Sequence, residues 1–254
     1  MKDYLTQVIE NKPIAKDIYE MSLVSLDGDF EKIRCGQFLQ LEVPGKLLRR
    51  PFGVYKFDNR VISISYAVVG DGTRAMTRIA PGDKVKATLP LGNGWWLSDK
   101  YKKVVLLGGG LGCVPLAYVP ETYPDREYHA FLGFSDKSRV AFTEEFERRC
   151  DTTVCTDDGS VGYHGFAMSA LESGLAEIKP DVVLVCGPRP MIKAAQGFAA
   201  LHKLEAYASM EERMGCGVGA CLVCACRIKQ KDGSTAARRV CTDGPVFKLE
   251  DIEL

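Results

Sequence analysis

The sequence is poor in histidine, with three residues, His129, His164 and His202, among 254. A histidine-based catalytic triad or a histidine-rich metal site is therefore not expected. No apolar run reaches the ~20 residues that a membrane-spanning helix needs. The start Met1-Lys2-Asp3-Tyr4 lacks the apolar core of a signal peptide. These absences predict a cytoplasmic protein that does not attach to a membrane.

The chain has no excess of positive or negative charge, because Lys+Arg and Asp+Glu number 33 each. Without a basic field, neither nucleic acid nor an anionic membrane is an expected partner. The content of hydrophobic residues (46%) and charged residues (26%) is typical of a globular protein. The ten cysteines in a chain without an export signal indicate a reducing compartment and a cofactor, and disulfides are not expected.

Four cysteines near the C-terminus carry the most specific pattern. Cys216, Cys221 and Cys224 stand in a C-x4-C-x2-C spacing, and Cys241 follows. This is the plant-type spacing for a [2Fe-2S] cluster held by four thiolates. Glycines between these cysteines allow the backbone to fold closely around a cluster and to point N–H groups at sulfur. We therefore predict a [2Fe-2S] subdomain over residues 206–254.

Other interpretations of the same cysteines stay open at this point. A structural zinc site is one, although only Cys221 and Cys224 have its usual C-x2-C spacing. A few buried thiols in a glycine-rich turn are another. The additional Cys226 is expected to be a spectator, because a C-x-C step turns its side chain away from that of Cys224 in extended chain.

Residues 1–98 read as a β-barrel. The segments 37–43 and 61–67 alternate apolar and polar residues with period two, and 85–89 follows a turn at 81–83. Short strands at such regular spacing favour an antiparallel barrel.

Two places in this barrel suggest a bound anion. One is Arg50, which precedes Pro51-Phe52-Gly53, and the other is the Gly72-Thr73 step, where Thr73 is expected to cap a short helix. Each place alone also fits a purely structural role, such as an edge strand that begins at a proline.

Taken together and in this order, these residues resemble the FAD-binding barrel of the ferredoxin–NAD(P) reductase family. The resemblance implies FAD, with its pyrophosphate at Arg50 and at the Gly72-Thr73 helix start. The family often has serine where this chain has Gly53, so a hydroxyl near the flavin ring is lost. The full set of FAD contacts that the resemblance implies is Arg50, Pro51, Phe52, Gly53, Ser65, Tyr66, Ala67, Gly72 and Thr73.

Residues 99–205 change to alternating strands and helices. The segment 104–107 is continuously apolar, as in a parallel sheet buried on both faces, and the glycine-rich turn 108–112 follows at once. Further strands are expected at 128–134, 152–155 and 181–186. The loops after these strands lie at carboxyl ends, where ligands bind in open α/β sheets.

The G-G-G-x-G-x-x-P run and the later C-G-P-x-P-M run resemble the NAD domain of the same reductase family. The resemblance implies a pyrophosphate at Gly109, Gly110 and Gly112, with Cys186 and Gly187 beside the nicotinamide. Without the resemblance, Cys186 reads as a small core residue.

The choice of nucleotide depends on charges after the second and third strands of this domain. Asp136 or Asp158 suits a free 2′-hydroxyl and repels a 2′-phosphate, which favours NAD. Lys137 and Arg139 argue for NADP, because either could meet a 2′-phosphate.

The three modules together form an electron-transfer chain. A nicotinamide moves two electrons as a hydride and an iron–sulfur cluster moves one, so the flavin belongs between them. The module order and the cysteine region resemble the family of electron transfer subunits of dihydroorotate dehydrogenase B. The resemblance implies a heterotetramer, two copies of each subunit, with an FMN-containing catalytic subunit that oxidises dihydroorotate in pyrimidine synthesis.

Two rival functions remain. The small subunit of an NADPH-linked bifurcating transhydrogenase, or of a related sulfide dehydrogenase, shares all three modules, but its group can replace one cysteine ligand with aspartate. A zinc-binding or redox-sensing module without enzymatic activity is the rival from another class.

Overall fold

An N-terminal barrel forms the first part of the computed structural model, which describes residues 1–230 and 232–254. Six strands close in the order β1-β2-β5-β4-β3-β6, with antiparallel neighbours throughout. Their bounds are β1 Lys2–Ala15, β2 Ile18–Ser25, β3 Phe38–Leu41, β4 Arg50–Phe57, β5 Val61–Ala67 and β6 Lys84–Leu91. The predicted antiparallel barrel is confirmed.

The interior of the barrel is filled by alternate side chains of its strands. Leu39 and Leu41 of β3 lie in the same apolar cluster as Ile62 and Ile64 of β5, and all four are fully buried. The period of two that marked these segments in the sequence therefore reflects an inner and an outer face.

A seven-stranded sheet follows the barrel, in the order β10-β9-β8-β7-β11-β12-β15. All neighbours are parallel except β15, which pairs antiparallel with β12. The bounds are β7 Lys103–Gly109, β8 Glu127–Phe134, β9 Asp151–Thr156, β10 Tyr163–His164, β11 Val182–Cys186, β12 Glu205–Ser209 and β15 Val246–Lys248. The parallel-sheet architecture expected for the middle of the chain is confirmed.

Helices cover both faces of this sheet, which explains its continuous apolar strands. Val105 and Leu107 of β7 pack in one apolar cluster with the helices α5 and α6, whereas Val104 and Leu106 pack in another with α2, α3 and α4. The helix bounds are α1 Asp71–Met76 in the barrel, α2 Val114–Ala117, α3 Val119–Thr122, α4 Thr143–Glu147, α5 Ala167–Ile178 and α6 Arg189–His202.

The C-terminal segment leaves the sheet after β12 and returns to it at β15. Between them lies a two-stranded hairpin of β13 (Ala225–Lys229) and β14 (Thr235–Arg239). Ser209 at the end of β12 pairs with Val246 at the start of β15. The expected boundary between residues 205 and 206 falls inside β12, directly after its first residue. The division into domains at residues 98 and 205 stays our proposal.

Helix α1 begins at Asp71, two residues before Thr73, which the sequence predicted to be its N-cap. Gly70 is the N-cap, and Thr73 lies in the first turn, where its Oγ1 accepts hydrogen bonds from the N–H groups of Val69 (2.9 Å) and Gly70 (3.2 Å). The threonine therefore caps the helix from inside, as the third residue of a capping box does. The expectation that Thr73 is itself the N-cap was wrong.

Among the described residues, no helix combines the length and apolar character that crossing a membrane requires.

Candidate functional site

A tight loop brings together two of the four predicted cluster ligands, Cys216 and Cys221. The backbone N–H groups of Val218 and Cys221 each donate to Sγ of Cys216 over 3.4 Å, and the N–H of Cys216 donates to Sγ of Cys221 over 3.4 Å. The N–H of Val218, followed by that of Cys221, lowers the pKa of Cys216 to about 6. The loop thus stabilises negative charge on sulfur, which is the form that binds iron.

The four cysteines form two pairs. Cys216 and Cys221 share the hydrogen bonds of the loop, and the thiol of Cys241 lies within hydrogen-bonding reach of Cys224. Within residues 1–230 and 232–254, no three His, Cys, Asp or Glu side chains converge on one ion position. Two pairs suit the two irons of a [2Fe-2S] cluster, each held by two thiolates, whereas a structural zinc ion needs four ligands around one point.

Close packing explains the glycines of this loop. Gly217 and Gly219 have φ of +71° and +83°, in the left-handed region that favours glycine. A Cβ at Gly217 would lie 2.6 Å from Nε2 of Gln40, and one at Gly219 would lie 2.9 Å from the side chain of Thr242. The loop therefore fits closely between the barrel and the segment that carries Cys241.

Arg239 fastens the segment that carries Cys241 to the loop. Arg239 donates to the carbonyl of Gly219 over 3.2 Å and pairs with the carboxylate of Asp243, also at 3.2 Å. The N–H of Val240 donates to the carbonyl of Cys224 over 3.0 Å. Cys241 is held next to Cys224 by these contacts before any iron is considered.

Cys226 lies in the same apolar cluster as Cys224 and Cys241. It is buried on β13 with the apolar cluster around the hairpin, and burial raises its pKa to about 11. Its interpretation as a spectator stays a prediction.

A cavity of about 380 Å³ lies against β4 and β5. Most of the residues assigned to FAD line it, namely Pro51, Phe52, Gly53, Ser65, Tyr66, Ala67 and Thr73. Arg50 and Gly72 lie in contact with each other outside the residues that line it, since a Cβ at Gly72 would come within 2.9 Å of Nε of Arg50. The two predicted phosphate-binding elements are thus neighbours.

The polar groups of the strand β5 are already engaged. The hydroxyl of Ser65 donates to the carbonyl of Tyr19 over 2.8 Å, and that of Tyr66 donates to Oδ1 of Asn11, also over 2.8 Å. Burial raises the pKa of Tyr66 to about 12, so it stays neutral. These side chains therefore present a fixed, uncharged wall that suits a flat aromatic ring.

A second cavity, of about 850 Å³, lies at the carboxyl ends of β7, β8 and β11. Gly109, Gly110, Gly112 and Gly187 line it, as expected for a nucleotide pyrophosphate. A Cβ at Gly112 would lie 2.3 Å from the carbonyl oxygen of Cys186. Glycine at 112 therefore lets the turns after β7 and β11 meet, which forms the floor of the crevice.

Cys186 is fully buried and lies behind Gly187, outside the residues that line this cavity. Burial raises the pKa of its thiol well above the ordinary value. The thiol is therefore protonated at neutral pH and acts as a neutral neighbour of the cleft, which excludes a thiolate nucleophile. Its predicted catalytic role stays a prediction.

The two acidic residues that were expected to select NAD over NADP accept hydrogen bonds within their own loops. Asp136 accepts from the N–H of Ser138 over 2.8 Å, and Asp158 accepts from that of Ser160 over 2.9 Å. Neither is among the residues that line the cavity, whereas Asp157 and Arg139 are. The preference for NAD accordingly stays a prediction. The cavity wall carries one basic side chain, Arg139, and three acidic ones, Asp157, Glu172 and Glu211.

Glu211 is the main residue that the sequence did not assign. It lines both cavities, which also share Ala67 and Leu111. The surrounding protein raises the pKa of its carboxyl by desolvation, although the side chain is open to the cavities. A sequence feature could have identified this residue, because Glu211 lies in the E-E-R-M run just before the cysteine loop.

Comparisons with known proteins agree with this geometry. Residues 211–253 match the family model described as the iron-sulfur cluster binding domain of dihydroorotate dehydrogenase B. The chain is similar to the dihydroorotate dehydrogenase B (NAD(+)) electron transfer subunit of Caldanaerobacter subterraneus subsp. tengcongensis. The two are 37% identical over 97% of this chain and 96% of the relative. The subunit of the same name from Bacillus velezensis is 38% identical over 100% of this chain and 99% of the relative.

Solved structures share the fold. The NADH-dependent reduced ferredoxin-NADP oxidoreductase, solved in a study of flavin-based electron bifurcation, superposes with a TM-score of 0.88 and 25% identity. The match covers 98% of this chain and 89% of that chain. Phthalate dioxygenase reductase superposes with a TM-score of 0.67 at 18% identity, over 93% of this chain and 76% of that chain.

Proposed function

Because the chain belongs to the family of electron transfer subunits of dihydroorotate dehydrogenase B, we propose that it connects a catalytic subunit to NAD in the cytoplasm. Electrons from dihydroorotate oxidation enter at the [2Fe-2S] cluster, continue to FAD and leave on NAD+. The cluster ligands are Cys216, Cys221, Cys224 and Cys241.

One observation carries this proposal: a single stretch of chain connects the first cavity, the second cavity and the cluster loop. Ser209, Met210, Glu211, Glu212 and Met214 line the first cavity, and the cluster loop begins directly after them. Glu211 also lines the second cavity. A single stretch of chain therefore connects the cluster loop with both nucleotide sites, as sequential transfer requires.

The residues of this chain place and separate the reacting groups. A bound flavin supplies the exchange between two-electron hydride chemistry and one-electron transfer. Gly109, Gly110 and Gly112 admit the pyrophosphate of the nicotinamide nucleotide to the backbone. Gly187 lines the nicotinamide end of the crevice, and the buried neutral thiol of Cys186 next to it adds no charge that would oppose hydride transfer.

The partner binds at the cluster loop. Val218, Leu222 and Val223 are 43%, 62% and 56% exposed, although they are apolar. Such side chains suit the core of an interface. The assigned residues are accounted for by FAD, NAD and the cluster, so the base and the carboxylate-binding groups for dihydroorotate belong to an FMN-containing catalytic subunit. The assembly is a heterotetramer with two copies of each subunit.

A second candidate is the small subunit of an NADPH-linked bifurcating transhydrogenase. The structural likeness to the NADH-dependent reduced ferredoxin-NADP oxidoreductase favours it. The full-length identity to dihydroorotate dehydrogenase B subunits, 36–38% in several relatives, supports the first candidate more strongly.

The experiment compares the isolated chain with the complex. The purified holoprotein is expected to show flavin bands with an iron–sulfur shoulder and to reduce artificial acceptors with NADH, without oxidising dihydroorotate. After it is combined with the FMN-containing subunit, NAD-linked dihydroorotate oxidation is expected. Dihydroorotate oxidation by the chain alone would contradict the proposal, and a preference for NADPH would support the second candidate.

A further inference from the structure

The side-chain amide of Gln40 is a buried hydrogen-bond donor. Gln40 lies on β3 and is 3% exposed. Within residues 1–230 and 232–254, its Nε2 has no hydrogen-bond acceptor. A buried N–H without an acceptor costs about 1–3 kcal/mol, so it calls for an explanation such as a group that is bound there in the working protein.

The position of Gln40 identifies that group. A Cβ at Gly217 would lie 2.6 Å from Nε2, 2.7 Å from Cδ and 3.1 Å from Cγ of Gln40, so the amide lies flat against the cluster loop. Gly217 directly follows the cluster ligand Cys216. On the neighbouring strand, Gln40 pairs with Pro51, which lines the flavin cavity. The amide therefore lies between the barrel wall of the flavin site and the cluster loop.

Electrostatics fixes which end of the amide faces the cluster. Four thiolates and the sulfides of a [2Fe-2S] cluster carry negative charge, which increases on reduction. A carbonyl oxygen directed at these sulfurs would be repelled, whereas an N–H group would be attracted. The orientation with Nε2 at the loop is therefore the stable one.

We propose that Gln40 supports electron transfer through the cluster. Its side-chain N–H donates a hydrogen bond to a cluster sulfur on the Cys216 side. This inference rests on the proposed cluster at the four cysteines. Hydrogen bonds to the sulfurs stabilise the reduced cluster and raise its reduction potential. Gln40 thereby adjusts the cluster potential from the strand that also borders the flavin.

The test replaces the amide in the holoprotein and measures the cluster potential by a redox titration followed by electron paramagnetic resonance. Gln40→Met keeps the length of the side chain and removes the donor. The reduced-to-oxidised ratio at fixed potential is expected to fall about tenfold, which corresponds to about 59 mV for a one-electron couple. Iron content and the FAD spectrum are expected to remain unchanged.

Gln37→Met is the matched control. Gln37 is as buried as Gln40, but its amide donates to the carbonyl of Gly92 over 2.7 Å and accepts from the N–H of Arg34 over 2.8 Å. This variant disturbs the same part of the barrel without removing a donor from the cluster, so its cluster potential is expected to match that of the wild type.

Gln40→Glu provides a second readout. A protonated glutamic acid can donate as the amide does, whereas the carboxylate repels the reduced cluster. The potential of this variant is expected to fall as pH rises, more steeply than that of the wild type. An unchanged potential in Gln40→Met with an intact cluster signal would overturn the inference and leave the proposed function standing. A wild-type protein without a [2Fe-2S] signal would instead overturn the proposed function.

Discussion

Gly72 and Arg50 are packed so closely that a Cβ on the glycine would lie 2.9 Å from Nε of the arginine. Gly72→Ala is therefore expected to displace the guanidinium from its place beside the helix α1. Because a hydrogen bond to a charged group contributes about 1.5–3 kcal/mol, partial loss of the pyrophosphate contact predicts roughly tenfold weaker FAD binding. Fluorescence titration of the apoprotein with FAD measures this change.

Gly70→Ala is the control for this prediction. Gly70 also lies at the start of α1, but its φ of −166° is ordinary extended backbone, and a Cβ at this residue would meet nothing within 4 Å. Its FAD affinity is expected to remain within twofold of the wild type. Equal losses in the two variants would show that Arg50 does not hold the pyrophosphate.

Two cysteine variants test the ligand set. Cys221→Ser removes one thiolate of the first pair and is expected to abolish or grossly perturb the cluster absorbance, while FAD stays bound in the barrel. Cys226→Ser is expected to leave the visible spectrum and the iron content intact, because Cys226 packs in the hairpin core. Iron loss in Cys226→Ser, together with its retention in Cys224→Ser, would show that the ligand set is wrong.

The nucleotide preference can be measured by stopped-flow bleaching of the flavin. NADH is expected to reduce FAD faster than NADPH, because the acidic residues near the cavity, Asp157 at its wall and Asp136 and Asp158 in the adjoining loops, disfavour a 2′-phosphate. Faster reduction by NADPH would instead identify Arg139, which also lines the cavity, as the phosphate contact.

The exposed apolar face of the cluster loop predicts a variant that fails to assemble. Leu222→Asp places a charge in the proposed interface and is expected to weaken binding of the FMN-containing subunit at least tenfold, as measured by analytical ultracentrifugation. Leu201→Asp is the control, because Leu201 is 77% exposed but lies near the end of α6. Unchanged assembly of Leu222→Asp would place the interface elsewhere.

The raised pKa of Glu211 predicts a pH dependence for flavin reduction. Below this pKa the carboxyl is neutral, and above it a carboxylate faces the cleft where the nicotinamide ring becomes positively charged. The rate of reduction by NADH is therefore expected to rise as pH increases through the raised pKa. The charge of Glu211 also acts on the thiol of Cys186, whose pKa lies well above the ordinary value because it is buried.

Glu211→Gln is expected to flatten this pH profile, whereas Glu212→Gln is expected to keep it. Glu212 follows directly in the chain, pairs with Arg189 and lines the first cavity without lining the second. A rise in rate that persists in Glu211→Gln would assign the titration to another group.

Local sequence patterns were sufficient for most of the fold. The segment expected at 61–67 is the strand Val61–Ala67, and the strand expected at 128–134 differs by one residue. Both patterns result from burial on one or two faces, which leaves a clear periodicity. The strand β15 could not be predicted in this way, because its three residues gain their pairing only from the distant β12.

The candidate site was predictable where ligands are close in sequence. The cluster spacing and the glycine turns each lie within one loop, so their chemistry is visible without a structure. The roles of Glu211 and Gln40 depend on contacts between distant segments, such as Gln40 with Gly217. Likewise, Asp136 and Asp158 could be recognised as loop caps only from their hydrogen bonds.

The pairing of Ser209 with Val246 has a consequence for how the protein acquires iron. All four cluster cysteines lie on the excursion between these two neighbouring residues. The pairing of β12 with β15 offsets the conformational entropy that is lost when this long loop closes. Cluster binding therefore does not have to offset it. We therefore expect the apoprotein to keep the pairing of β12 with β15 before iron and sulfide are bound.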